Sequence, residues 1–240
     1  GANNTAVGRM ALSANTTGYG NTASGKDAMR LNTTGAHNTA VGSLALDAST
    51  TGNDLTAVGY GVLGSNTTGY SNVGVGGGAS FAAAALTTNT TGYGNSALGA
   101  GALAQNTTGV GNCAVGRQSM YSSATGSNNI AMGDQSLDAN TSGASNTALG
   151  TSALGSNTTG AFNTAVGRDA LPATTTGAYN TAVGNEAGKT TTTGYGNTLL
   201  GYDINTASAV SNYNLVAGYN SNAASAGNGW ATFGYNNTRT

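Results

Sequence analysis

The chain has 240 residues, a net charge of −1, 6% charged residues, 40 glycines, one proline and one cysteine. It carries no basic stripe that would mark nucleic-acid binding, no apolar run of the ~20 residues that a spanning helix needs, and no signal-peptide pattern. With Cys113 alone, no intrachain disulfide can form, and the Ala/Asn/Thr/Ser/Gly bias directs attention to internal repeats.

The chain opens in mid-pattern. Gly1 matches Gly18 and Gly35, which end the first two repeats, so a longer parent protein is expected. The first full motif is Asn4-Thr5-Ala6-Val7-Gly8. It recurs at Asn21, Asn38, Leu55 and Asn72, then at Asn95, Asn112, Asn129, Asn146, Asn163, Asn180, Asn197 and Asn214. Every step is 17 residues except one of 23, and the fifth position is glycine in all thirteen copies. Four residues beyond that glycine stands a large apolar residue, from Leu12, Met29 and Leu46 to Leu171. A turn signal follows, as in Asn15–Gly18 and Asn157–Gly160.

This pattern predicts an all-β fold: a parallel β-solenoid, or β-roll, of about 13 coils. At about 4.8 Å per coil it would form a rod of about 60 Å. Thr-Ala-Val is a short strand that glycine ends. Successive strand residues point to opposite faces. Thr5 and Val7 therefore share one face and Ala6 takes the other. Both columns are apolar enough to predict shelter on both faces. The expectation is that the Thr/Val face lines the coil interior with the Leu column. The Ala face is then left for a partner. Two large apolar side chains per coil contribute roughly 2–3 kcal/mol each. Ordering the backbone costs roughly 1–2 kcal/mol per residue. Amide ladders in the Asn column narrow that deficit, and association of identical chains narrows it further.

The 23-residue step places a six-residue insertion within 77–84, expected as a surface loop bearing Phe81. Residues 1–227 read as the repeat array. Residues 228–240 read as a degenerate terminal coil or cap, because the strand-like Ala231–Gly234 is out of step by one. Aromatic residues thicken toward that end. Tyr219, Trp230, Phe233 and Tyr235 are candidate receptor or glycan contacts.

Catalytic groupings are missing from the pattern. His37, the sole histidine, falls at a variable turn position otherwise held by Gly20, Ser71, Phe162 or Tyr179. No Ser-His-Asp set or zinc spacing appears, and the acidic residues keep no register that would pair two carboxylates. Asp134 and Asp138 flank one turn and read as solvated. Gly74–Gly78 lacks the Lys-Ser/Thr of a phosphate loop. Cys113 replaces Thr and reads as a small buried substitute. Triplets such as Asn15-Thr16-Thr17 match the glycosylation rule because the turn recurs. No enzyme activity, cofactor or metal is expected.

The Asn-Thr-Ala-Val-Gly strand with its following Ala-Leu pair resembles the head repeats of trimeric autotransporter adhesins of the YadA type, over about residues 1–218. The unit here is longer than the adhesin repeat. Its Ala-Leu…Asn-Thr-Thr-Gly extension is similar to repeats in bacteriophage tail fibres. The resemblance implies a left-handed parallel β-roll, a homotrimer, and an extracellular role as a fibre attaching to a host surface. An ice-binding solenoid is the alternative. Against it, Thr16 and Thr17 are adjacent and would face opposite ways, and no Thr-X-Thr pair recurs.

Overall fold

A computed structural model describes residues 1–78, 83–222 and 228–235. The inserted Phe81 lies outside the described residues. The chain divides into two compact units, Gly1–Thr125 and Gly126–Thr240.

The first unit holds β1 (Thr5–Val7), β2 (Thr22–Ser24), β3 (Thr39–Val41), β4 (Thr56–Val58), β5 (Val73–Val75), β6 (Ser96–Leu98) and β7 (Cys113–Val115). Each pairs in parallel with the next so that equivalent repeat positions lie side by side, as in Thr22↔Thr39 and Ala23↔Ala40. The second unit holds β8 (Ile130–Met132), β9 (Thr147–Leu149), β10 (Thr164–Val166), β11 (Thr181–Val183), β12 (Thr198–Tyr202), β13 (Leu215–Tyr219) and β14 (Ala231–Tyr235). It stacks the same way, and β14 joins β13 with a 16-residue step, Leu215↔Ala231. Each unit is a parallel β-solenoid with one strand per coil. The flanks of the insertion stay on the stack: Gly78 N–H donates to the Tyr60 carbonyl, and Gly101 N–H donates to that of Ala83.

The inter-coil hydrogen bonds continue around the turns, and this requires unusual backbone. In the third coil His37, Leu44 and Leu46 have φ of +58°, +60° and +53°. A left-handed conformation costs about 1 kcal/mol or more at a non-glycine residue. Here it aims each N–H along the stack. His37 N–H reaches the Tyr19 carbonyl at 3.0 Å, Leu44 that of Lys26 at 3.0 Å and Leu46 that of Val62 at 3.1 Å. Phe162, Asp169 and Leu171 repeat the arrangement in the second unit, with φ of +58°, +53° and +50°. Burial of the leucines helps to hold this geometry: Leu46 and Leu171 are wholly inaccessible to solvent.

The Asn column fixes where each strand begins. Asn146 N–H donates to Asn129 Oδ1 at 2.9 Å, and Asn129 Nδ2 donates to the Gly143 carbonyl at 2.9 Å. Asn163, Asn180, Asn197 and Asn214 repeat the backbone-to-amide bond in turn. These amides are buried, and the bonds satisfy groups that would otherwise be costly inside the coil.

Burial reverses the expected assignment of the strand faces. The Ala column points inward, with Ala23, Ala40, Ala57, Ala148 and Ala165 all at 0% exposure. The Thr and Val columns point outward. The coil interior is too thin for the larger residue. A Cβ built at Gly74, which stands in the Ala column, would lie 2.6 Å from Val62 Cγ1 and 3.6 Å from Leu63 Cδ1. Leucine from the turn therefore packs directly against the strand, and only a methyl fits between. Where a large residue enters one interior column, another shrinks. Val62 accompanies Gly74. Gly188 interrupts the Leu column, and Leu199 and Leu171 close over it, each 2.7 Å from where its Cβ would be. This exchange accounts for the lapse of the Leu column near the C-terminal end. Ile204 and Val216 complete the core there.

The invariant glycine is dictated twice. Its φ lies at +133° in Gly99, and a Cβ there would stand 2.6 Å from the Gly116 carbonyl oxygen of the next coil. The turn asparagines form a second ladder, with Asn32 Nδ2 donating to Asn15 Oδ1 at 2.9 Å. Serine at position 49 interrupts it and leaves buried Asn32 Oδ1 and Ser49 Oγ without partners. Asn32, Asn66, Asn89 and Asn106 are fully buried. The glycosylation triplets of those turns are therefore closed in the folded chain.

Two consequences are measurable by thermal or denaturant unfolding. Gly99→Ala should destabilise by about 3 kcal/mol or more through clash and strain. Gly61→Ala should have a much smaller effect, because its φ of +67° is near the +60° of Leu44, the same repeat position one coil earlier, and its Cβ would meet nothing within 4 Å. Ser49→Asn should stabilise by about 1 kcal/mol, since its amide can donate to Asn32 Oδ1 and accept from Asn66 Nδ2.

Candidate functional site

The outward strand face exposes large apolar residues in both units. In the first unit it exposes Val7 (62%), Val41, Val58, Val73 and Leu98 (51%). In the second it exposes Ile130, Met132 (47%), Val183, Leu200 and Phe233 (68%). Isolated surface apolar residues are ordinary, whereas contiguous columns of them mark interaction surfaces. The strands set this continuity, because register pairing places Val41 beside Val58 and Val166 beside Val183. Threonines alternate with the apolar column along each strand, in consecutive runs of four: Thr5, Thr22, Thr39 and Thr56, then Thr147, Thr164, Thr181 and Thr198.

Cys113 belongs to the same outward column and is half-buried, with a free thiol. The expected buried position is thus corrected, for the reason that reverses the whole column.

Aromatic residues line the turn that precedes the strand. In the first unit Tyr19 meets His37 edge-on at 4.9 Å, and Tyr70 stacks on Tyr93 at 4.6 Å. In the second, Phe162, Tyr179, Tyr195 and Tyr213 form a continuous row with separations of 4.8, 5.0 and 5.5 Å. Burial raises the Tyr195 phenol above its ordinary value, and the flanking phenols of Tyr179 and Tyr213 add to the shift. His37 is therefore one member of an aromatic turn column. The signal for this row lay in spacings near 17, which the composition of the C-terminal end obscured.

Three of the four sequence candidates are described with their side chains, all in the second unit. Tyr219 lies in β13 and stacks on Tyr202 at 5.0 Å. Trp230 precedes β14 and occupies the Asn column, its N–H donating to Asn214 Oδ1 at 3.2 Å. Phe233 stands on the outward face opposite Ala217. Tyr235 is in register with Tyr219, and its side chain lies outside the described residues.

Charged residues pair between coils, which a linear reading of scattered acids misses. Arg30 holds Asp47 through two bonds of 2.9 and 3.2 Å. Arg9 meets Asp27 at 3.2 Å. In the second unit Glu186 and Asp203 flank Lys189 at 3.3 and 2.6 Å, and Arg168 also meets Glu186. Hydrogen bonding to Asp203 is the main cause that raises the Lys189 ammonium above 10.5. Asp134 and Asp138 are half-buried. Among the described residues no three His, Cys, Asp or Glu side chains come together as a metal site, and no helix is long and apolar enough to cross a membrane.

A raised Lys189 contributes stability that is fully present below its unfolded pKa and lost as pH climbs through the folded one. The gap in melting temperature between wild type and Lys189→Met should therefore close above pH 10.5. It should also shrink in high salt, because the pair is solvent-exposed.

No protein-family model, no curated protein and no solved structure matches the chain.

Proposed function

We propose that this chain is a non-enzymatic structural segment of an extracellular adhesive fibre, a phage tail fibre or bacterial surface adhesin, that works as a homotrimer. The observation that carries this reading is the outward Thr/Val face. Its apolar columns run from coil to coil within each unit and remain exposed. Three copies related by a closed rotation would each cover the others' face without leaving an open edge of the assembly. A parallel, in-register arrangement sets each residue of the column against its own copies. The low charge of the chain removes most like-charge repulsion from such self-association. Attachment to a host receptor or glycan belongs to this proposal. The exposed aromatics Tyr219, Trp230 and Phe233 are its candidate contacts.

Sedimentation equilibrium should give three times the mass of one chain, 23.2 kDa. A stable monomer overturns the reading. In a parallel trimer the Cys113 thiols of neighbouring chains share one level, so a short bis-maleimide should cross-link Cys113 to Cys113. Val41→Lys and Val183→Lys should dissociate the assembly.

Ice binding is a second reading, favoured by the same face. Its four-threonine runs stand outward on adjacent parallel strands. The two readings compete for one surface. A monomer with thermal hysteresis would favour ice binding, and a trimer without it would favour the fibre.

A further inference from the structure

We propose that Tyr70 and Tyr93 form an oxidative modification site, at which the two phenol rings couple through their ortho carbons into a dityrosine bridge. With one cysteine, the chain cannot staple its own coils by a disulfide. A stacked tyrosine pair supplies another side-chain route to a covalent tie between coils.

The geometry favours this pair. The rings lie 4.6 Å apart with planes inclined by only 7°, so the two phenols face each other within reach of a ring-to-ring bond. Both residues are accessible to an oxidant, at 45% and 41% exposure. Their backbones are held together, because Gly94 N–H donates to the Tyr70 carbonyl at 3.1 Å. Other neighbouring rings are less suited. Tyr19 faces a histidine at 82°, and the Tyr179–Tyr195 and Tyr195–Tyr213 planes are inclined by 49° and 67°. Tyr202 and Tyr219, at 5.0 Å and 17°, are the second pair of this kind. Tyr70 and Tyr93 also bracket the one insertion in the repeat, so the bridge would close the coil whose period is interrupted.

The oxidant is a peroxide acting through a haem peroxidase. Each phenol loses one electron and one proton to become a phenoxyl radical. The two radicals join by a carbon–carbon bond, and each ring's displaced ortho hydrogen returns to its own oxygen as the ring regains aromaticity. The balance is two tyrosines and one hydrogen peroxide giving one dityrosine and two waters.

The test treats the whole chain with hydrogen peroxide and a haem peroxidase, then reads dityrosine fluorescence and maps the linked peptides by mass spectrometry. A peptide joining Tyr70 to Tyr93, lighter by two hydrogen atoms, is expected as the leading product. Mixing isotope-labelled with unlabelled chains should show the link to be within one chain. Tyr70→Phe keeps the stacked ring and should abolish this product while leaving any Tyr202–Tyr219 link. The proposal is overturned if free tyrosine couples under the same conditions and the Tyr70–Tyr93 peptide does not form. It is equally overturned if that link joins different chains or is no more abundant than a Tyr179–Tyr195 link.

Discussion

The structure depends on a buried carboxamide that binds in two directions. A typical motif asparagine accepts the N–H of the next coil's asparagine and donates to the carbonyl of the turn glycine that follows, as Asn163 does with Asn180 and Gly177. These bonds set the height at which one coil sits on another. They also hold the turn closed at the point where the backbone enters the left-handed region, at Phe162 and Tyr179. A β-solenoid with three-residue strands has little ladder of its own, so the amide column supplies much of the register. Leu55 shows what the column can spare. It replaces the amide with a buried side chain in one coil, while Asn38 and Asn72 on either side retain their bonds to Gly52 and Gly92.

The interior follows from that close stacking. With leucine folded across the strand, the core is one large side chain and one methyl thick. This is why its substitutions come in compensating pairs, Val62 with Gly74 and Leu199 with Gly188. Packing at crystalline density leaves no other way to vary the columns. In the C-terminal coils the interior volume accordingly stands at Leu199, Ile204 and Val216 where the Leu column lapses.

The outside is the complement of this economy. The interior takes the alanine, so the strand's larger apolar residues are turned to solvent. The property that stabilises a single coil thus creates the surface proposed for assembly. Charges avoid the problem by pairing between coils, and aromatic rings by stacking at the turn. Both use the same vertical neighbour relation that aligns the backbone.

The period, the strand positions and the glycine column were all legible in the linear order of residues, because a fixed spacing is a one-dimensional property. So was the division of each strand into a Thr/Val face and an Ala face. Which of the two points inward was decided only by tertiary structure. Alternation separates Thr and Val from Ala without saying which side is inward, and apolar character pointed to valine. The answer depends on the width of the coil interior. That width is set by how closely the left-handed turn carries Leu46 or Leu171 to the strand, a distance between residues that no spacing in the sequence encodes.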